Sequence, residues 1–200
     1  MPDNDAPSYT KGGNYHHGDL KRALLEAAKD LIDEGGLENF TMARAARLAG
    51  VTSGAPYRHF KDRQALLAEM ARQGGQMLEM EVDLAMKHAG LDPVEQLLAL
   101  GETHLRFAGA HPAFYRVMHL SPTELGLEGE EDTELEVGAN GEALTAAADG
   151  NREAAVRLGA QAAIYGLSRM WIDGQFPSGT EPDEAAAAMR EILKRILHRA

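Results

Sequence analysis

Side chains that can donate hydrogen bonds to anions are concentrated in residues 39–63. The basic residues of this stretch are Arg44, Arg47, Arg58, Lys61 and Arg63, and the single acidic residue is Asp62, which gives a local net charge of +4. The whole chain carries a formal charge of −11, with 10 basic and 21 acidic side chains in residues 73–200. Affinity for nucleic acid depends on cations placed at the phosphates rather than on this sum. Charge alone favours an ordinary solvated surface over a phosphate-binding one.

The spacing of small residues in the segment TMARAARLAGVTSGAPYRHF, residues 41–60, predicts a helix-turn-helix. Alanines at 45, 46 and 49 would let two short helices cross closely, and Gly50 permits a sharp turn between them. Val51 would fill the angle, and Thr52 would cap a second helix that ends at about residue 58 or 59. This second helix begins with side chains small enough for a major groove and ends with donors for phosphates.

Apolar periodicity and capping signals predict an all-α protein of about nine helices without β-strands. The first helix begins near Asp19 and stops at Gly35-Gly36, and a long helix from Arg63 to about His88 is weakened at Gly74-Gly75. Further helices are predicted to begin at Thr41, Asp92-Pro93, His111-Pro112, about residue 134, Asn151 and Thr180 or Glu181, the last carrying Ala185, Met189, Ile192 and Ile196 on its apolar side. Residues 121–133 are predicted to form an exposed acidic loop.

Residues 15–70 resemble the tetracycline-repressor (TetR) family of transcriptional regulators. The matching residues are Leu24, Ala28, Thr41, Ala46, Ala49-Gly50-Val51, Tyr57-x-His59-Phe60, Arg63 and Leu66. YHHGDL at 15–20, APYRHF at 55–60, HPAFYRVM at 111–118 and IYGLSRMWIDGQFP at 164–177 are similar to a subgroup with a WHG-type C-terminal domain. The resemblance implies an N-terminal three-helix, helix-turn-helix DNA-binding domain over 15–62 and a helical effector-binding and dimerisation domain over 63–200. Residues 1–14, which lack periodicity, are expected to be a disordered arm.

The family's DNA contacts map onto individual residues of this chain. The resemblance implies phosphate contacts at Thr41, Tyr57, His59 and Arg63, and groove-facing positions at Thr52, Ser53, Ala55 and Arg58; local charge adds Arg44 and Lys61. Arg63 stands where the family usually has lysine, and Ala43 stands where a basic side chain is common. Pro56 lies inside the predicted second helix, where it is expected to remove one hydrogen bond without breaking the helix.

Aromatic and methionine side chains in residues 92–120 and 151–175 predict an effector pocket between the helices of these two stretches. The candidates are His104, Phe107, Tyr115, Met118, Tyr165, Met170 and Trp171. Such a set at helical spacing is usually core, but the resemblance implies that this core contains an effector cavity. Tyr165-Gly166 stands where the subgroup often has His-Gly. The expected effector is small and largely apolar, with a cation allowed because ring faces attract positive charge.

Other function classes have weaker support. His104, His111 and His119 are the only hint of a catalytic or metal site, and their spacing lacks the Glu-x-x-His pairs that helical metal sites use, so neither an enzyme nor a metal nor another cofactor is expected. The chain has no cysteine, no secretory signal and no apolar run of membrane-spanning length, so we expect a cytoplasmic protein without membrane contacts. An interaction protein that keeps the helix-turn-helix only as a scaffold is a further alternative, which the local charge of +4 disfavours.

The resemblance also implies an assembly and a mode of action. Two copies are expected to associate through the helices at 151–175 and 181–198. In the first of these helices, close approach is allowed by Gly159, Ala162, Ala163 and Gly166. The homodimer would bind a palindromic operator on double-stranded DNA. A small-molecule effector would then shift the spacing of the two recognition helices and release the DNA, which describes a ligand-responsive repressor.

Overall fold

The computed structural model describes residues 17–127 and 145–198, and this part of the chain is helical without β-strands. The α-helices are α1 His17–Gly35, α2 Met42–Leu48, α3 Arg63–Ala89, α4 Pro93–Ala110, α5 Pro112–Met118, α6 Pro122–Leu125, α7 Arg152–Ile172 and α8 Pro182–His198. Residues 145–148 are also helical, and Leu37–Asn39 and Pro56–Arg58 form 3-10 turns. The predicted arm over 1–14 and most of the helix predicted at 134–149 lie outside the described residues. No described helix is long and apolar enough to span a bilayer.

Side-chain caps begin several helices at the predicted positions. The Thr41 hydroxyl accepts a hydrogen bond from the Arg44 N–H at 3.2 Å, and the Asp62 carboxylate accepts one from the Ala65 N–H at 2.8 Å. The Asn151 side chain caps α7 in the same way. Each cap satisfies an N–H that has no partner within its own helix. The predicted starts of α2, α3 and α7 are therefore confirmed.

The N-terminal core is built around α1 and extends past the predicted domain boundary at residue 62. Its fully buried members include Leu24 and Ile32 of α1 and Phe40 of the following loop. The first half of α3 contributes Leu66, Leu67 and Met70, and α5 contributes Ala113 and Val117. The helix-turn-helix region therefore packs on segments that lie far beyond it in the sequence.

A second core lies where α4 packs between α7 and α8. Leu98, Leu105, Met189 and Leu193 are fully buried in it. α4 and α8 approach closely at Gly101, where an added Cβ would lie 2.4 Å from a Leu193 methyl. The apolar side predicted for the last helix is correct at Ala185 and Met189 but wrong at Ile192, which is 37% exposed. Leu193 takes the buried position, and Ile196 packs at the edge.

α5 has one face in each of two apolar clusters. Ala113 and Val117, four residues apart, lie in the N-terminal core. Tyr115 lies on another face, in a cluster with Leu78 of α3 and Phe107 of α4. Residues four apart on a helix share a face, whereas the residue between them points elsewhere. α5 therefore packs on the N-terminal core with one face and on the Tyr115 cluster with another.

The middle of the chain confirms one prediction and corrects another. α3 extends from Arg63 to Ala89, close to the predicted end at about His88. α5 approaches α3 at Gly74, where an added Cβ would lie 2.8 Å from the Met118 sulfur. The segment predicted as a loop over 121–133 contains α6, which a reciprocal capping box between Ser121 and Glu124 begins. Residues 128–133 of that segment lie outside the described part of the chain.

Candidate DNA interface and buried polar cluster

The segment predicted as the second helix of the helix-turn-helix is not an α-helix. It consists of turns after Thr52 followed by the 3-10 turn at Pro56–Arg58. The Ala55 N–H donates to the Thr52 carbonyl at 3.0 Å, and the Arg58 N–H donates to the Ala55 carbonyl at 3.2 Å, both three residues back. Pro56 has no N–H with which to reach the Thr52 carbonyl four residues back, so this α-helical hydrogen bond is missing. The Phe60 N–H does donate to the Pro56 carbonyl, four residues back, at 3.0 Å. The expectation that Pro56 leaves an α-helix intact is therefore wrong.

Two buried side chains anchor this segment and leave its polar side chains facing outward. Pro56 and Phe60 are buried, as expected for Phe60. Tyr57, between them, is 56% exposed, so its hydroxyl is presented to solvent. Thr41, Thr52, Ser53, Arg58 and Lys61 are also exposed, and Ala55 and His59 are half-buried. The outward-facing set on residues 52–61 thus consists of Thr52, Ser53, Tyr57, Arg58 and Lys61.

Arg63 and Arg44 differ from this set because their guanidinium groups bind the protein itself. Arg63 Nη2 donates to the Leu37 carbonyl at 2.8 Å, and Nε donates to the Phe40 carbonyl at 3.3 Å. Its guanidinium also lies 5.3 Å from the centre of the Phe40 ring. Arg44 Nη1 donates to the Asn39 side chain, whose own amide donates to the Leu31 carbonyl. Both arginines therefore hold the connection between α1 and α2, a role that the sequence did not predict.

A cleft of about 590 Å³ lies between this connection and α6. Leu37, Arg63 and Gln64 line it on one side and Leu120 and Glu124 on the other. No predicted effector-pocket residue lines it. Gln64 Nε2 donates to the Thr123 carbonyl at 3.1 Å, so the cleft is bridged at one edge.

The predicted effector-pocket residues separate into three environments. Phe107 and Tyr115 are buried together, with Met118 packed against them. Tyr165 and Met170 on α7 are largely exposed. Trp171 packs in the second core, where its ring centre lies 5.4 Å from that of Phe176 and an added Cβ at Gly109 would lie 2.3 Å from Nε1. His104, the remaining candidate, meets Tyr115 edge-on with 6.4 Å between ring centres.

A stack of three rings joins Tyr115 to the surface. The His119 ring lies 4.3 Å from that of Tyr115 and 4.9 Å from that of Tyr165, measured between ring centres. His119 Nδ1 is 2.8 Å from the Tyr115 carbonyl oxygen, which fixes the orientation of the imidazole. His119, which was not among the predicted pocket residues, thus lies between the rings of Tyr115 and Tyr165.

Two hydroxyl groups at the base of this stack are buried with no partner other than each other. Tyr115 is 1% exposed and Ser168 is fully buried. Burial raises the pKa of Tyr115, and its hydrogen bond with the Ser168 hydroxyl lowers it in part. Ser168 was missed by sequence reasoning because a serine on a long helix is usually solvent-exposed.

His104 adds a neutral imidazole to the same region. Burial, and next the neighbouring His119, lower the pKa of His104 from 6.5 to about 4. The side chain is therefore uncharged at neutral pH and offers one donor and one acceptor. Within residues 17–127 and 145–198, no three His, Asp or Glu side chains are placed to hold a metal ion.

Two models of protein families match different parts of the chain. A model of the bacterial regulatory proteins of the tetR family matches residues 24–70, and a model of the tetracycline repressor-like C-terminal domain matches residues 97–194. The C-terminal model is not described as WHG-type, so that narrower assignment stays a prediction.

Individual relatives are similar over different lengths. An HTH-type transcriptional regulator of Staphylococcus aureus (strain USA300) is 44% identical over 46 residues, which are 23% of this chain and 25% of that protein. The chain thus matches about a quarter of the length of such curated relatives. A TetR-like transcriptional regulator from Rhodococcus sp. RHA1 has a TM-score of 0.66 at 19% identity, with 94% of this chain and 100% of that chain covered. The regulator FadR from Bacillus subtilis, in complex with stearoyl-CoA, has a TM-score of 0.60 at 18% identity, with 88% and 96% covered.

The structural likenesses establish the overall fold, and the two family models account for the helix-turn-helix region and for most of the helices that follow it. The chain belongs to the tetR family of bacterial regulatory proteins.

Proposed function

We propose that this protein is a ligand-responsive transcriptional regulator that represses genes by binding a palindromic operator. The observation that carries the proposal is the outward-facing set on residues 52–61, a segment that the buried side chains of Pro56 and Phe60 anchor. Exposed hydroxyls and cations on a rigid base can bind phosphates without rearrangement of the chain. Because the segment is a 3-10 turn, base contacts would come from the tips of few side chains, chiefly Ser53 and Arg58.

A homodimer would give this short segment enough reach to recognise DNA. One such segment reads few base pairs, whereas a two-fold pair reads two half-sites. The outer side of α7 supports an interface: Gly166 has open space where a Cβ would be, and Tyr165 is 42% exposed. Ile192 on α8 extends the apolar surface. We therefore place the dimer contact on α7 and α8.

Ligand binding would act on DNA through α5. A ligand near Tyr115 would press on one face of α5, whose opposite face is part of the core that supports the helix-turn-helix region. The dimer fixes the distance between the two recognition segments, so a shift of α5 in each copy would change that distance and weaken operator binding. Repression and release would then be two states of the same dimer.

Selection from random DNA duplexes, combined with light scattering, tests the proposal. We expect enrichment of a palindrome by a species of twice the 21.6 kDa chain mass. A species of the mass of one chain at micromolar concentration would contradict the dimer. Failure to enrich any sequence would contradict the regulator itself and would favour the scaffold alternative.

A further inference from the structure

Two side-chain hydrogen bonds attach α5 to helices that are distant in sequence. Asp33 of α1 accepts a hydrogen bond from the Ala113 N–H in the first turn of α5, where backbone N–H groups have no partner within the helix. Arg116, three residues further along α5, donates from Nη2 to the Ile172 carbonyl at 2.7 Å, at the C-terminal end of α7. α5 is therefore tied to α1 by one hydrogen bond and to α7 by another.

The attachment of Arg116 to α7 has several parts. The same Nη2 lies 3.3 Å from the Asp173 carboxylate, whose other oxygen accepts a hydrogen bond from Arg169 Nε at 2.9 Å. The Arg116 side chain is only 15% exposed, so water competes little for these hydrogen bonds. A cation at this end of a helix also interacts favourably with the last carbonyl groups. Arg116 thus holds the end of α7 against α5.

These two attachments lie between the parts of the molecule that operator binding has to align. α1 is the centre of the N-terminal core, in which Phe60 anchors the recognition segment, residues 52–61. α7 is one of the two helices on which we place the dimer contact. A path from α1 through Asp33, α5 and Arg116 to α7 therefore joins the recognition segment of each copy to its dimer contact.

α3 connects the same two parts, but a single helix leaves their relative orientation free to vary. Leu66 and Leu67 at its beginning pack in the N-terminal core, and Leu78 further along packs with Phe107 of α4. Long helices bend, and apolar packing has no preferred direction. Hydrogen bonds are directional, so a second attachment beside α3 restricts bending and rotation. Asp33 and Arg116 supply this second attachment.

We propose that Asp33 and Arg116 are positioning residues that set which spacing of operator half-sites the dimer accepts. One base pair of added spacing moves a half-site by about 3.4 Å along the duplex and by about 34° around it. A dimer whose recognition segments are held at one distance and angle accepts one spacing, whereas a dimer with loosened α5 attachments accepts several. The inference rests on the proposed function, because a half-site spacing exists only for a dimer on a palindrome.

Duplexes that differ only in half-site spacing test this assignment. The palindrome that the native chain enriches is rebuilt with one base pair added to or removed from its centre, and the affinity of each duplex is measured. The native chain should bind the original duplex at least about tenfold more tightly than either altered duplex, and Arg116→Ala and Asp33→Ala should each reduce this preference to about threefold. Arg72→Ala is the control, because Arg72 donates to Glu69 and Gln76 of its own helix, and it should keep the native preference.

The ratio of affinities separates positioning from stability. Destabilisation lowers the amount of folded protein and weakens binding to all three duplexes alike, so it leaves the ratio unchanged. Because the two hydrogen bonds act in series, the double variant D33A/R116A should lose no more of the preference than either single variant. A native chain without a spacing preference, an unchanged preference in both single variants, or losses that multiply in the double variant would overturn the proposal.

A distance measurement without DNA tests the same attachments. The chain has no native cysteine, so Leu48→Cys and Ser178→Cys, both at exposed positions, carry one spin label on α2 and one in the segment after α7. In labelled chain diluted with unlabelled chain, the distribution of distances between the labels should be narrow, should broaden in Arg116→Ala and Asp33→Ala, and should stay narrow in Arg72→Ala. An equally narrow distribution in all variants would overturn the proposal.

The two experiments together separate this inference from the proposed function. A native chain that enriches a palindrome, but whose variants keep the spacing preference and the narrow distances, retains the proposed function and refutes the positioning role. A chain that enriches no DNA, but whose variants show broadened distances, retains the two attachments and refutes the regulator.

Discussion

The Asp33 carboxylate accepts a hydrogen bond from the backbone N–H of Ala113 at 2.8 Å, which joins α1 to the first turn of α5. The other carboxylate oxygen is 2.9 Å from Lys29 Nζ. Asp33 thus acts as a capping side chain for a helix 80 residues further along the chain. It connects the helix-turn-helix region directly to the helix that carries Tyr115.

Removal of this connection should destabilise the protein. Asp33→Ala should lower the free energy of unfolding by about 1–2 kcal/mol, the usual effect of losing a cap. Asp33→Asn keeps an acceptor oxygen, so it should lower the free energy of unfolding by less. Asp30→Ala is the control. Asp30 lies on the same helix and is exposed, and its carboxylate is 3.9 Å from Lys29 Nζ, too far for a hydrogen bond. Urea unfolding measures all three variants, and equal stability of the Asp33→Ala and Asp30→Ala variants would refute the capping role.

Adjacent glycines in α3 should respond to alanine in opposite directions. At Gly74 an added Cβ would lie 2.8 Å from the Met118 sulfur and 3.1 Å from the Phe114 Cβ, whereas at Gly75 it would meet open space. Gly74→Ala should destabilise the protein by about 1–3 kcal/mol through overpacking. Gly75→Ala should stabilise it by up to about 1 kcal/mol because alanine favours the helix. Thermal unfolding that shows the same sign at both positions would contradict the close approach of α3 and α5.

Lys61 and Arg63 should separate DNA binding from stability. Lys61 is exposed, so Lys61→Ala should leave the unfolding midpoint unchanged and make the slope of log affinity against log salt less negative by about 0.9 for each phosphate that Lys61 neutralises. Arg63→Ala removes hydrogen bonds to the Leu37 and Phe40 carbonyls and should cost about 1–3 kcal/mol of stability. Paired salt titrations and urea unfolding check both. If Arg63→Ala flattened the salt slope at unchanged stability, its intramolecular role would be refuted.

Glu69 should make stability depend on pH in the acid range. Hydrogen bonds from Arg72, and also from Gln73 and Lys21, lower the pKa of Glu69 from 4.5 to about 2. A carboxylate whose pKa is lower in the folded than in the unfolded chain stabilises the fold above pH 4.5, and this contribution is lost as the pH falls toward 2. Because Arg72 and Lys21 are largely solvent-exposed, we expect only about 1 kcal/mol. Glu69→Gln should remove this part of the pH dependence in acid unfolding; an unchanged acid profile would contradict it.

Local signals in the sequence were sufficient for most of the fold. Helix starts at Thr41, Asp62 and Asn151 depend on a side chain and an N–H within three residues, so the sequence alone identifies them. The missed helix α6 also has a local signal, the reciprocal pair Ser121 and Glu124, which the acidic composition of the segment obscured.

The remaining differences depend on residues that are distant in sequence. Arg63 has the charge of a phosphate ligand, and only the folded chain places the Leu37 and Phe40 carbonyls beside it. Ile192 and Leu193 are equally apolar, and the position of α4 decides which of them is buried. The buried Ser168 hydroxyl has no sequence signal, because its burial beside Tyr115 is a tertiary property.

The division of α5 between the N-terminal core and the cluster around Tyr115 determines how the chain can be cut. A fragment that ended at residue 62 would lack Leu66, Leu67 and Met70, as well as the Ala113 and Val117 face of α5, and would expose the apolar side of α1. A fragment that began at residue 63 would leave that same α5 face uncovered. The helix-turn-helix region and the helices that follow it are therefore one folding unit. Neither part can be moved to another protein without new side chains to cover the exposed apolar surface.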